Sequence, residues 1–307
     1  MPFYFYAMQS QLKYFLALHI IIFLWGFTGI IGQLVSMEAV PIVWYRVVIA
    51  MVSLAIIIPI IKGSFRLANT KQYLMVLGTG IIVALHWVTF YKSIQLSTAS
   101  LGTLCLATTT LHVAWLEPII MKRKFSWLEI IMSAVVVYGI YFVSDDFNAQ
   151  EYTALAYGLS SALFAALFAV INAHLVEDIP PARISFYEML AAAIVLSVFM
   201  LLTGDMNAEV FSISLKDFGW MLFLGIICSS LAFLASIEIV KHIGAFAASL
   251  SINLEPVYTI LLAIPILEEN ELLTSYFYVG AAIIIGTILA NAIIKRYFRN
   301  LGSDSNK

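Results

Sequence analysis

Ten stretches of this chain are long and apolar enough to cross a lipid bilayer, and they leave almost no room for anything else. A helix needs about 20 consecutive apolar residues to span the hydrocarbon. The runs cover 14–35, 40–61, 72–94, 98–121, 127–143, 153–175, 184–202, 218–240, 245–267 and 275–294. They fall into two similar sets of five. A unit with an odd number of crossings, when repeated, must enter the membrane from the opposite side. The predicted fold class is therefore all-α integral membrane, with ten transmembrane helices as two inverted-topology five-helix repeats, an arrangement common among secondary transporters.

Composition excludes the soluble alternatives. Hydrophobic residues make up 62% of the chain and charged ones 11%, with a mean hydropathy of +0.98, whereas charged residues alone approach about a quarter of a soluble domain. The longest gap between runs, 203–217, is too short and too polar for a folded module. Cys105 and Cys228 both lie inside apolar runs, where a small buried thiol is the ordinary reading.

Lys and Arg in short loops are retained on the cytoplasmic side. With the N-terminus inside, that side collects 13 of the 16 Lys and Arg residues, Lys216 alone faces out, and Arg46 and Lys92 lie within or at the edge of runs. The opposite loops are acidic, from Glu38 and Asp145 to Glu268, Glu269 and Glu271. The expected organisation is a cytoplasmic N-terminus (1–13), a first five-helix repeat (14–143), an external linker (144–152), a second repeat (153–294) and a cytoplasmic basic tail (295–307). The first run reads as an uncleaved anchor. The expected setting is the bacterial cytoplasmic (inner) membrane, with both termini inside.

The repeat is visible in the residues. Offsetting the chain by about 142 sets Val43-Trp44-Tyr45-Arg46 against Ser185-Phe186-Tyr187-Glu188, Lys92 near Glu238, and 98–104 against 244–250. Inverted repeats put equivalent positions at opposite depths, so Arg46 and Lys92 fall in the outer half and Glu188 and Glu238 in the inner half.

An ionisable group in the hydrocarbon costs about 2.5–3.5 kcal/mol on insertion scales, so it faces a cavity or a partner. Glu255 lies about halfway along its run and is followed by Pro256, which lacks an N–H and loosens the helix. It is a candidate site for a proton or a substrate amine, the alternative being a structural carboxyl with Asn253 as one partner. Arg46 carries a planar donor fork suited to a carboxylate or phosphate and sits amid Trp44, Tyr45 and, from another run, Trp87 and Tyr91. It is a candidate anion contact, or else an anchor reaching out to lipid headgroups. Glu188, Glu238 and Lys92 form a candidate gating set, although Lys92 is near enough to a run end to snorkel outward. His86 and His112, near mid-depth, carry imidazoles whose charge changes near neutral pH; they line a polar path or bond across helices.

No metal or cofactor is expected. The histidines show no paired ligand spacing, and no Gly-x-x-x-x-Gly-Lys-Ser/Thr loop is present to hold a nucleotide phosphate. Gly26, Gly29 and Gly32, and the run Ala162, Ala165, Ala166, Ala169, form small-residue faces of the kind that pack helices closely in lipid.

Trp25-Gly26 in the first run, Tyr45-Arg46 with Ala50 in the second, and 244–250 followed by Leu254-Glu255-Pro256 and the run-ending Glu268 resemble the drug/metabolite transporter superfamily, EamA type. The resemblance covers about 14–294. It implies ten helices around a central cavity lined mainly by the first four helices of each repeat, and movement of small organic solutes, often outward and commonly driven by ion gradients. The chain departs from the pattern at Thr110, where a helix-breaking proline is usual, at Lys122-Arg123, where an acidic residue is usual, and at Glu188, where an arginine is common.

The expectation is a secondary active exporter of small organic metabolites such as amino-acid-like solutes, coupled to an ion or proton gradient and working by alternating access. Its partners would be membrane lipids, the small-molecule substrate, protons and a second copy of the chain, with no nucleic acid. The rival class is an intramembrane enzyme acting on a lipid or isoprenoid substrate, with Glu255 and the histidines as acid and base.

Overall fold

The computed structural model describes residues 2–122, 124–243 and 251–304; within these, the side chains of 2–11, 237, 238, 240, 241, 243, 292 and 295–304 lie outside the description. The described residues are helices joined by short connections, with no strand among them. In order they are α1 (Pro2–Leu34), α2 (Ala39–Ile60), α3 (Thr70–Leu96), α4 (Ala99–Ala107), α5 (Thr109–Met121), α6 (Trp127–Val143), α7 (Ala149–Leu175), α8 (Pro181–Thr203), α9 (Ala208–Phe211), α10 (Leu215–Leu222), a π-helical stretch (Phe223–Leu231), α11 (Ala232–Ile243), α12 (Glu255–Leu267) and α13 (Ser275–Asp304). Among the described residues, seven helical spans are long and apolar enough to cross a membrane, and three shorter apolar helices, Trp127–Val143, Glu255–Leu267 and Ser275–Asn291, accompany them.

Polar residues at the ends of the apolar runs start the helices. The side chains of Asn69, Thr98, Ser126 and Ser214 each accept from a backbone N–H one turn on. Asn148 and Glu151 close a reciprocal capping box at the head of α7. Within the runs, backbone groups have no water to turn to, so the helix is the obligatory solution.

Two expected runs are not continuous helices. The stretch 98–121 divides at Thr108 into α4 and α5, although no proline stands there; the hydroxyls of Thr108 and Thr110 donate to the carbonyls of Cys105 and Ala107, at 2.6 and 3.2 Å, and satisfy acceptors at the break. The run 245–267 divides after Asn253-Leu254, and α12 begins at Glu255 with Pro256 in its first turn. These breaks are repeat-equivalent. Both α5 and α12 are 13 residues long, and both end on a left-handed residue, Lys122 (φ 53°) and Glu268 (φ 58°). The sequence motif 244–250 lies outside the described residues.

Packing obeys the same twofold relation. Helix α3 lies on α7 as α11 lies on α1; α4 and α5 lie on α7 as α12 lies on α1; α3 meets α8 as the π-helical stretch meets α2. The pairs α2–α8 and α6–α13 join equivalent elements of the two halves, and α4 meets α12 across them. Small residues allow the closest crossings: a Cβ on Gly80 would come within 2.5 Å of the Glu188 carbonyl, and one on Gly280 within 2.5 Å of the Gly139 carbonyl. The largest apolar core is built on α1, α2, α3 and α8, and a second fills the space among α4, α6, α7 and α13.

Candidate functional site

The site is built around Arg46, two turns into α2 and only 5% exposed. Its guanidinium carbon lies 4.0 Å from the centroid of the Trp87 ring on α3, a cation–π contact of the kind favoured by a desolvated planar cation. Nε donates to Ser229 Oγ at 2.8 Å, and Nη1 donates to the Tyr91 hydroxyl at 3.2 Å. The Ser229 hydroxyl in turn donates to the Leu224 carbonyl at 2.7 Å, five residues back, a bond that follows the π-helical turn. Gly225 is what lets this stretch approach α2, since a Cβ there would meet the Ile49 side chain at 2.5 Å. One plane of the guanidinium is thus covered by an aromatic face, and one edge is fixed by two hydroxyls.

Glu255 stands in the first turn of α12, at the interruption halfway along its span, and its side chain is half-buried. The backbone there is held against α1: Thr259 Oγ1 donates to the Gly26 carbonyl at 3.0 Å, and Gly26 and Gly29 both face Thr259. Trp25 Nε1 donates to the Cys228 carbonyl at 3.0 Å and ties α1 to the π-helical stretch. The structure therefore groups Arg46 with Trp87, Tyr91 and Ser229, and α1 ties that cluster to the helix start where Glu255 stands. That set offers an oriented cation and a carboxyl at an open helix end, suited to a solute carrying both charge signs.

The remaining sequence candidates lie elsewhere. Tyr45, next to Arg46, turns away and donates its hydroxyl to the Val210 carbonyl at 2.8 Å. His86 is buried in the α3–α7 seam, where Nδ1 lies 3.0 Å from the Ser161 carbonyl and 2.9 Å from its hydroxyl, which donates to the His86 carbonyl. His112 sits on α5 beside Trp115, with Nδ1 buried and without a hydrogen-bond partner. Glu188, 4% exposed, accepts from Asn172 Nδ2 at 2.8 Å across the α7–α8 contact. Lys92 forms an exposed ion pair with Glu38 at 3.1 Å. Asn253 lies in the turn before α12, and the side chain of Glu238 falls outside the described residues.

Sequence reasoning missed Ser229, whose only signal was a polar Cys228-Ser229-Ser230 triplet in an apolar run. It also passed over the capping role of Glu269. This buried carboxylate accepts from the backbone N–H groups of Ala99 and Ser100, at 2.6 and 3.1 Å, and so caps α4 from the other repeat. Among the described residues, no group of three or more His, Cys, Asp or Glu side chains is placed to hold a metal ion.

The chain matches the model for the EamA-like transporter family over residues 12–145 and 152–292. It is similar to two Bacillus subtilis (strain 168) proteins. "Uncharacterized transporter YcbK" is 28% identical over 149 residues, 45% of this chain and 46% of that protein. "Uncharacterized transporter YyaM" is 24% identical over 213 residues, 67% of this chain and 68% of that protein. The match thus spans less than half the length of the first relative and about two thirds of the second. A solved structure named only "Crystal structure of protein", 13% identical, superposes with a TM-score of 0.64 over 92% of this chain and 98% of that one, a likeness of fold.

Proposed function

Because the chain belongs to the EamA-like transporter family and is a multi-pass membrane protein, we propose that it is a secondary active transporter exporting small amino-acid-like solutes by alternating access. The observation that carries this reading is the oriented Arg46 guanidinium, joined through α1 to the broken helix at Glu255. Arg46 takes the substrate carboxylate, since two of its donors and one face are already committed and the fork cannot rotate freely. Glu255 takes the substrate amine, or a proton when the site is empty, which couples export to the proton gradient. Interrupted spans at equivalent positions of two inverted repeats are a pointer to a transporter binding site. The protein resides in the bacterial cytoplasmic membrane with both termini inside, and it carries out no chemistry on its solute.

The test is a thermal-shift screen of the purified protein against amino acids and related zwitterions, run in parallel on Glu255→Gln and Arg46→Gln. A ligand that binds only the folded state raises the melting temperature by mass action. The expected result is stabilisation by zwitterions that is lost in both variants, followed by flux of the same compounds in proteoliposomes that depends on an imposed pH gradient. Stabilisation that persists unchanged in both variants removes the site assignment. Turnover of a lipid without solute flux points to the enzyme instead.

A further inference from the structure

Tyr45 and Tyr187 are repeat-equivalent, and they make the same bond at opposite ends of the α2–α8 pair. Tyr45, near the start of α2, donates to the carbonyl of Val210 in the connection that follows α8. Tyr187, near the start of α8, donates to the carbonyl of Phe65 in the connection that follows α2, at 3.0 Å. The neighbouring aromatics repeat the relation. Trp44 packs edge-on against Phe211, with centroids 6.0 Å apart, and Phe186 against Phe65, with centroids 4.8 Å apart. A one-turn helix, α9, presents Val210 and Phe211 on one side. On the other, a loop at 61–69 is further held by Arg183 Nη1 donating to the Arg66 carbonyl at 2.8 Å and by the Leu67 N–H donating to the Tyr73 hydroxyl at 3.2 Å.

We propose that these two tyrosines are the latches of the transport cycle, one for each face of the membrane, and that access to the Arg46 site opens from a given face when that face's latch breaks. Both are closed in this structure. Helices α2 and α8 are antiparallel and packed on each other, so a scissoring of one against the other separates one end while pressing the other together. A carrier must never open both faces at once, and a pair of identical bonds at the two ends of one helix crossing supplies that exclusion without a separate device. Each connection, 61–69 and 204–214, lies outside the long helices, so releasing the tyrosine frees the loop without unwinding a span. The inference rests on the alternating-access reading above, but not on the identity of the solute.

The experiment uses Cys228 as reporter. It is 2% exposed and precedes the Arg46-bound Ser229. In a Cys105→Ser background, membrane vesicles of both orientations are treated with a membrane-impermeant maleimide, with no substrate present. Tyr45→Phe is expected to raise Cys228 labelling from the α2 N-terminal face by roughly five-fold and to leave the other face unchanged; Tyr187→Phe gives the mirror result. That size is the population shift expected from losing one hydrogen bond. Phe211→Ala and Phe65→Ala unload the same two contacts through the aromatic neighbours and must reproduce the same sidedness, which covers the case in which a tyrosine variant fails to fold. Labelling that rises equally from both faces, or changes in none of the four variants, makes the tyrosines static ties and overturns the proposal. Substrate binding in the thermal-shift screen is unaffected by that outcome, so the two readings fail separately.

Discussion

The guanidinium carbon of Arg46 rests 4.0 Å above the Trp87 ring, while the two hydroxyls that hold its edge come from α3 and from the π-helical stretch before α11. A cation so enclosed exchanges its hydration for an aromatic face and two oriented acceptors. Removing the ring leaves a buried charge with less to hold it. Trp87→Leu is expected to destabilise the protein by about 2 kcal/mol or more, from the lost cation–π contact and the cavity together. Trp87→Phe retains a ring face and should cost less than half as much. Thermal melts in detergent distinguish the two.

Glu269 is a stability residue just beyond the end of α12. It serves two N–H groups at the start of α4 that have no intrahelical partner. Glu269→Ala strands both donors and removes a negative charge from a helix N-terminus, with an expected loss of about 2–4 kcal/mol. Glu269→Gln keeps one acceptor and should lose roughly half of that. Melting curves for the two variants measure it, and an Ala variant as stable as wild type refutes the cap.

Gly78 and Gly80 are two residues apart on α3 and should respond with opposite sign. A Cβ at Gly80 would meet the Glu188 backbone at 2.5 Å, whereas nothing lies within 4 Å of one at Gly78. Gly80→Ala must push α3 from α8 and is expected to cost about 1–3 kcal/mol. Gly78→Ala should be neutral or stabilise by up to about 1 kcal/mol, through helix propensity alone. Parallel melts of the pair provide the check.

Ser161 clasps His86 by hydroxyl and carbonyl across the α3–α7 seam. Ser161→Ala is expected to cost about 1 kcal/mol of stability, since it removes the hydroxyl's buried hydrogen bonds while the Ser161 carbonyl still holds His86 Nδ1. It should leave ligand-induced thermal shifts unchanged. A variant that melts normally but no longer responds to ligand would move His86 from the seam to the substrate path.

The apolar runs made the helical class and the repeated halves legible, because hydrocarbon permits few backbone solutions and run lengths report them directly. The break at Thr108 was not legible, since threonine is compatible with a continuous helix and only its hydroxyl bonds to the preceding turn reveal the interruption. At Pro256 the same event left an explicit mark. Trp87 and Tyr91 come beside Arg46 because their runs are consecutive and antiparallel, so similar depth brings them together. Whether a side chain turns inward or along a seam depends on helix rotation, and a span apolar all round gives no phase for it. Tyr45 and Arg46 are adjacent in the chain and serve different places, and His86 lies in a helix seam, for that reason. The capping role of Glu269 was not legible because its partners are backbone groups as far as 170 residues away, and backbone donors carry no sequence signal.

The π-helical stretch Phe223–Leu231 has no counterpart in α3, its repeat-equivalent. Such a stretch houses extra chain length within one helix. Were it to rewind as α-helix with one residue displaced toward α11, everything beyond Leu231 would turn by about 100° about the helix axis. The far end of the eighth span could then exchange the face it turns toward the centre while α10 and the loop before it stayed still, so that a vertical slip of a single residue acts as a rotary motion.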